Sequence, residues 1–119
     1  MRTLPQLLGL LQDFSAENPF PSAPAELYEP CEYILTLGGK RIRPALLLMG
    51  YELFRDDTES ALPAAWAVEL FHNFSLMHDD IMDASPLRRG RPTVHAKWDV
   101  NTAILSGDAL LVKAYQLMG

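Results

Sequence analysis

Apolar residues recur at helical spacing along most of the chain. Leu4, Leu7, Leu8, Leu11 and Phe14 form one stripe over residues 4–16, which predicts an amphipathic helix ending near Asn18-Pro19. Such a helix serves core packing or a subunit contact. Phe20 to Pro24 is a linker. Helical spacing resumes from Ala25 to Leu37 through Leu27, Tyr28, Cys31, Ile34 and Leu35, with Pro30 placed to bend the element. Gly38 and Gly39 end that helix, and Pro44 suits the first turn of the next, strongly apolar one, Ala45 to Phe54. Arg55 to Ser60 is a polar connector. Its Asp56-Asp57 pair sits in a turn without a third carboxylate on the same face, so it carries little weight as a metal site. A long helix from Ala61 to Met82 follows, with Pro63 tolerated in its first turn. Ala84 to Pro92 is a loop bounded by Pro86 and Pro92, with Gly90 permitting a tight turn. Thr93 to Trp98 forms a short helical piece. Val100 to Met118 is the last helix, interrupted by Gly107-Asp108. No segment alternates with the period of two expected of a strand.

The candidate chemistry gathers in Glu69 to Asp83. This apolar helix ends in three carboxylates within five residues. At 3.6 residues per turn, Asp79 and Asp83 lie one turn apart and point the same way, whereas Asp80 points about 100° away. His72 falls on nearly the same line as Asp79, ~10 Å down the helix. Like charges at this spacing repel and weaken a helix. A divalent cation is the simplest compensation, and Mg²⁺ is held by one or two carboxylates with water and phosphate oxygens completing its shell.

Charge sharpens that picture. The net charge of -5 over 119 residues argues against general nucleic-acid binding. Yet six of the ten Lys and Arg residues fall in two tracts, Lys40-Arg41-Arg43 and Arg88-Arg89-Arg91, which suits a small anion better than a polyanion. Lys40 and Arg43 stand where a helix begins, among free N–H groups and the positive end of its dipole. This is either a phosphate cradle or a solvated basic loop before a core helix. The Arg88–Arg91 loop follows the aspartates directly, as an anion site or as a surface salt-bridge cluster of small energetic weight. Hydrophobic content of 49% supports one domain with a sizeable core. The single cysteine, Cys31, excludes an internal disulfide framework and fits a reducing compartment. The N-terminus lacks the uninterrupted apolar core of a signal peptide, and no apolar run approaches the ~18 residues of a membrane span. A soluble cytoplasmic protein is expected. There is no P-loop, zinc spacing or Ser-His-Asp arrangement, and His78 and His95 serve as core or surface residues.

Gly-Gly-Lys-Arg-Ile-Arg-Pro at 38–44, Phe-His-Asn-Phe-Ser-Leu-Met-His-Asp-Asp-Ile-Met-Asp at 71–83, Leu-Arg-Arg-Gly-Arg-Pro-Thr at 87–93 and Ile-Leu-Ser-Gly-Asp-Ala-Leu at 104–110 together resemble the N-terminal half of a trans-type isoprenyl diphosphate synthase. The resemblance is dense from Gly38 to Met118 and weak before Leu27. It implies an all-α antiparallel helical bundle around a deep cavity, usually a homodimer, that joins isopentenyl diphosphate to an allylic diphosphate with Mg²⁺. It implies that Asp79 and Asp83, with Asp80 nearby, hold the metal on the allylic diphosphate. Arg88 would contact that same diphosphate, and Lys40, Arg43, His72 and Arg89 would bind isopentenyl diphosphate. It further implies that Phe71, Phe74 and Ser75, below the aspartates, set product length. The large residue at Phe74 with the small Ser75 resembles short-chain synthases making geranylgeranyl or farnesyl diphosphate. Both phenylalanines could equally be ordinary core.

The chain departs from that family in one respect. Members carry a second aspartate-rich motif on a later helix, but after Asp83 only Asp99 and Asp108 bear carboxylates. Residues 1–119 are therefore expected to be the N-terminal portion of a single all-α domain, inactive alone. Two other readings stand beside this one. The first is a non-catalytic binding or regulatory subunit with the same half-fold. The second is a terpene cyclase, which the Gly-Gly-Lys-Arg motif disfavours because a cyclase has no isopentenyl diphosphate to hold.

Overall fold

The computed structural model describes residues 1–37 and 39–119, so the Gly38 end of the glycine pair lies outside the described residues. The elements run α1 (Leu4–Glu17), α2 (Ala25–Leu37), α3 (Ile42–Glu52), a 3₁₀ turn (Thr58–Ala61), α4 (Leu62–Met82), β1 (Leu87–Arg88), β2 (Arg91–Pro92), α5 (Val94–Lys97) and α6 (Val100–Met118). Local chemistry explains several boundaries. Thr3 and Gln6 cap α1 reciprocally, each side chain accepting from the other's backbone N–H. Asp99 caps α6 by accepting from Thr102 N at 2.6 Å. Asp57 anchors the 3₁₀ turn by accepting from Ser60, whose N–H donates to Asp57 O at 2.9 Å and whose Oγ donates to Asp57 Oδ2 at 3.1 Å.

Helix α4 is the hub. Leu62, Trp66, Leu70, Asn73, Met77 and Asp80 recur every three or four residues as its buried face. It packs most extensively on α6 and also touches α1, α2, α3 and α5. Ala65, Ala67, Ala103 and Gly107 are buried where small side chains let backbones approach. Two hydrogen bonds join α2 to α6: Ser106 Oγ donates to Leu27 O at 2.7 Å, and Cys31 Sγ donates to Ser106 O at 3.2 Å. The molecule measures 43 × 28 × 19 Å, and its thin dimension holds no more than two helix diameters of ~10 Å. One face of α6 (Ile104, Leu105, Val112 and Tyr115) is apolar and uncovered. No helix among the described residues is long and apolar enough to cross a membrane.

Helices over 25–37 and 100–118 match the spacing. The differences lie between helices. α3 starts three residues earlier than expected, because Arg41 turns the chain in a left-handed conformation and Pro44 is accepted inside the first turn. α6 runs unbroken through Gly107-Asp108, since Gly107 gives up a side chain where the Phe74 ring packs and Asp108 points outward. The 84–92 segment is a small hairpin rather than a plain loop. Arg88 pairs with Arg91, and Arg89 and Gly90 both take positive φ, 52° and 77°, as a two-residue type I′ turn requires.

Candidate active site

α4 sorts its carboxylates by angle. Asp79 and Asp83 are exposed in its last turn, linked by the Asp83 N–H to Asp79 O bond of 2.9 Å. Among the described residues, neither side chain has a hydrogen-bonding or ion-pair partner. Asp80 faces inward, 6% exposed. Arg88 meets it with two parallel bonds, Nε to Oδ2 and Nη2 to Oδ1, both 2.8 Å. This is the fork geometry that makes arginine–carboxylate pairs strong, and it holds the Arg88 guanidinium even more firmly charged than usual. The salt-bridge reading of this loop thus describes one pair, buried rather than superficial.

The basic tracts converge. A cavity of about 230 Å³ is lined by Lys40, Arg43, His72, Arg88 and Arg89 among others. These are all five of the substrate-binding residues that the resemblance implied. Arg41 completes five cations, against the single carboxylate of Glu69 in the same wall. Arg43 Nη1 lies 3.2 Å from His72 Nε2. A guanidinium can only donate, so Nε2 is the acceptor and the imidazole is neutral. Burial, then the nearby Arg43, push the His72 pKa down, with Arg88 and Arg89 acting the same way against Glu69. Gly39 leaves room for the Arg89 side chain. A Cβ there would stand 2.8 Å from Arg89 Nη2. Asn73, in the same wall, donates Nδ2 to Glu69 O at 2.9 Å and leaves its buried Oδ1 without a protein partner. The larger cavity, about 710 Å³, lies on the other side of Lys40 and Arg41, among Leu8, Leu11, Phe20 and Trp66. It brings together neither the aspartates nor Arg43 and His72.

Phe71, Phe74 and Ser75 alternate along α4 with His72, Asn73 and Leu76 of the smaller cavity but do not line it. Phe71 is 52% exposed. Phe74 is half-buried, 5.9 Å from the Phe71 ring and 6.3 Å from the His78 ring, with Gly107 beneath it. Ser75 Oγ is turned back onto His72 O at 2.6 Å. Two residues of the site had no role in the sequence reading, Arg41 and Glu69. Arg41 Nη1 donates to Glu69 Oε2 at 2.6 Å. The available signal was a lone acid between Val68 and Leu70 in an apolar helix, which burial obliges to find a cation.

Among the described residues no three His, Cys, Asp or Glu side chains gather into a metal cage. Mg²⁺ does not require one, since it keeps waters and phosphate oxygens beside one or two carboxylates. The free, exposed pair Asp79 and Asp83 fits that demand, and the committed Asp80 does not.

The polyprenyl synthetase family profile matches residues 24–119. Over 95 residues the chain is 52% identical to the geranylgeranyl diphosphate synthase of Methanosarcina mazei, covering 80% of this chain and 29% of that protein. Over 106 residues it is 47% identical to the geranylgeranyl diphosphate synthase of Saccharolobus solfataricus, covering 89% of this chain and 32% of that protein. A crystal structure of a geranylgeranyl pyrophosphate synthase, 54% identical, superposes with a TM-score of 0.94 over 98% of this chain and 36% of the other. The chain thus spans about a third of the length of these relatives. With the family profile matched over most of its length and the bundle shared, the chain belongs to the polyprenyl synthetase family.

Proposed function

We propose that residues 1–119 form the N-terminal portion of one all-α prenyltransferase domain that joins isopentenyl diphosphate to an allylic diphosphate. The observation that carries this reading is the single cavity in which Lys40, Arg43, His72, Arg88 and Arg89 meet, beside a separate face bearing Asp79 and Asp83. Two anionic substrates need two separately neutralised places, and this half-fold supplies both kinds. Lys40, Arg43, His72 and Arg89 hold the diphosphate of isopentenyl diphosphate. Arg88, held in place by Asp80, would face the allylic diphosphate. Asp79 and Asp83 would hold Mg²⁺, which when bound neutralises charge on the leaving diphosphate. The allylic C–O bond breaks and diphosphate departs with the bonding pair. The double bond of isopentenyl diphosphate attacks the allylic cation, and loss of a proton restores an alkene. Phe71 and Phe74 line the path for the growing chain and keep water from the cation. Phe74 over Gly107, with Ser75 beside it, favours a short product such as geranylgeranyl or farnesyl diphosphate. A homodimer fits the uncovered apolar face of α6, and a cytoplasmic setting fits the lone buried thiol of Cys31.

The test is a chimera in which this chain replaces the matching segment of the Methanosarcina mazei enzyme. It is expected to condense radiolabelled isopentenyl diphosphate with an allylic diphosphate in the presence of Mg²⁺. Asp79→Ala is expected to abolish product, and Phe74→Ala to lengthen it. Undiminished product from the Asp79 variant sinks the metal role. Unchanged product length returns Phe74 to the core.

A further inference from the structure

Lys40 and Arg43 line the anion cavity from either side of Arg41, the residue before α3, and the Arg41 side chain is paired with α2 and α4. Its backbone is left-handed, φ 55°, a conformation that costs a non-glycine residue energy and persists only where the surroundings fix it. They do so here at three points on two helices, α2 and α4. Nη1 donates to Glu69 Oε2 on α4 at 2.6 Å, and Nη2 donates to Leu35 O in the last turn of α2 at 2.7 Å. Its Cζ stands 5.5 Å from the centre of the Trp66 ring. The Glu69 side chain is 5% exposed, and its helix supplies no other cation for it.

A carboxylate in the wall of an anion site weakens the attraction of that site, so Glu69 has an electrostatic cost there. Its compensating effect is geometric. We infer that the Arg41–Glu69 ion pair positions the anion cavity, fixing the left-handed turn at the start of α3 that aims Lys40 and Arg43 into it. This rests on the cavity's role as a diphosphate site. Arg41 and Glu69, both in the cavity wall, act as positioning residues through their bond to each other. Charge and geometry then predict opposite outcomes for one substitution. With charge alone, Glu69→Gln makes the cavity more positive and tightens anion binding. With positioning, the same change frees the loop and weakens it.

Inorganic diphosphate, titrated calorimetrically into this protein without divalent cations and at fixed ionic strength, separates the two. Glu69→Gln is expected to weaken diphosphate binding about tenfold, the scale of a lost charge-assisted hydrogen bond. Arg41→Lys keeps the charge but cannot reach Glu69, Leu35 O and the Trp66 face together, and it should show the same loss. It also carries the test if the Glu69 variant fails to fold. Tighter or unchanged binding in a folded Glu69→Gln protein, or full retention in Arg41→Lys, overturns the inference. Lys40→Ala reports separately on the cavity. If it leaves diphosphate affinity unchanged, the proposed anion site itself fails, whatever Glu69 does.

Discussion

Asp79 and Asp80 are neighbours in sequence, and their removal should move stability in opposite directions. Asp80 lies inside, held by two 2.8 Å bonds from Arg88, with side-chain exposures of 8% and 24%. Breaking a buried ion pair costs about 3–5 kcal/mol. Asparagine keeps one acceptor and Arg88 keeps some water, which reduces the cost of Asp80→Asn to about 2–3 kcal/mol. Asp79 is exposed in the last turn of α4, where the helix dipole disfavours anions and where Asp83, one turn on, repels it. Asp79→Asn relieves both, a gain of about 0.5–1 kcal/mol. A chain of 119 residues unfolds with an entropy of about 0.25 kcal/mol/K. Asp80→Asn should therefore lower the midpoint by about 8–12 °C, and Asp79→Asn should raise it by about 2–4 °C. Circular-dichroism melts in EDTA at pH 7 measure this directly. Repeated with Mg²⁺ and inorganic diphosphate, the wild type should gain stability by mass action and Asp79→Asn should lose the part of that increment that depends on Mg²⁺. A destabilised Asp79→Asn protein, or an Asp80→Asn protein that melts like the wild type, would refute this division of labour between the carboxylates.

Gly39→Ala places a Cβ 2.8 Å from Arg89 Nη2, the far end of a flexible side chain, so the melting midpoint should hardly move while calorimetric affinity for inorganic diphosphate falls; equal affinity would show that Arg89 does not need that place. The His72 pKa is depressed below its ordinary 6.5, first by burial and then by Arg43. The folded state thus stays neutral where the unfolded chain takes up a proton, and stability falls as pH drops through 6.5, levelling off below the folded value. An NMR titration of the His72 ring should show a midpoint below 6.5 that rises when inorganic diphosphate offsets the arginines; a free-protein midpoint above it contradicts the arrangement. The Cys31 thiol is pushed up to about 12, mainly by burial and then by Glu32, so it should resist a disulfide reagent at pH 8 while folded and react fully in urea. Gly107→Ala brings a Cβ to 3.5 Å from the Phe74 ring, an ordinary contact, and should raise the midpoint because alanine favours a helix interior by about 1 kcal/mol; a lower midpoint would mean that the Phe74 ring cannot yield.

The helices were legible where periodicity and punctuation agree. Residues 25–37 and 100–118 are bounded by Pro24 and by the Asp99 cap, and their buried residues fall at helical spacing. The cationic lining of the cavity was legible as a list of charges, Lys40, Arg43, Arg88 and Arg89. What was hidden was the commitment of individual charges. Nothing in Arg-Ile-Arg says that Arg41 turns left-handed toward Glu69 while Arg43 turns to His72. That choice follows from where α4 places a buried acid. The hairpin was hidden for another reason. Strands of two residues are too short to show alternation, although Arg89-Gly90 between them carries a turn signal.

The two buried acids of α4 give the site a common logic. Glu69 and Asp80 are eleven residues apart, almost three whole turns, and so share one helical face about 16 Å apart. Each holds one arginine from a different basic segment, Arg41 before α3 and Arg88 in the hairpin. Each segment thereby commits one cation and leaves others, Lys40 and Arg43 on one side and Arg89 on the other, to face the cavity between them. Two unpinned basic loops would repel each other and splay. Pinned to one rigid helix, they are held at a fixed separation. α4 and its C-cap thus divide four acids: the buried pair, Glu69 and Asp80, holds the two arginines, and the exposed pair, Asp79 and Asp83, has no protein partner among the described residues.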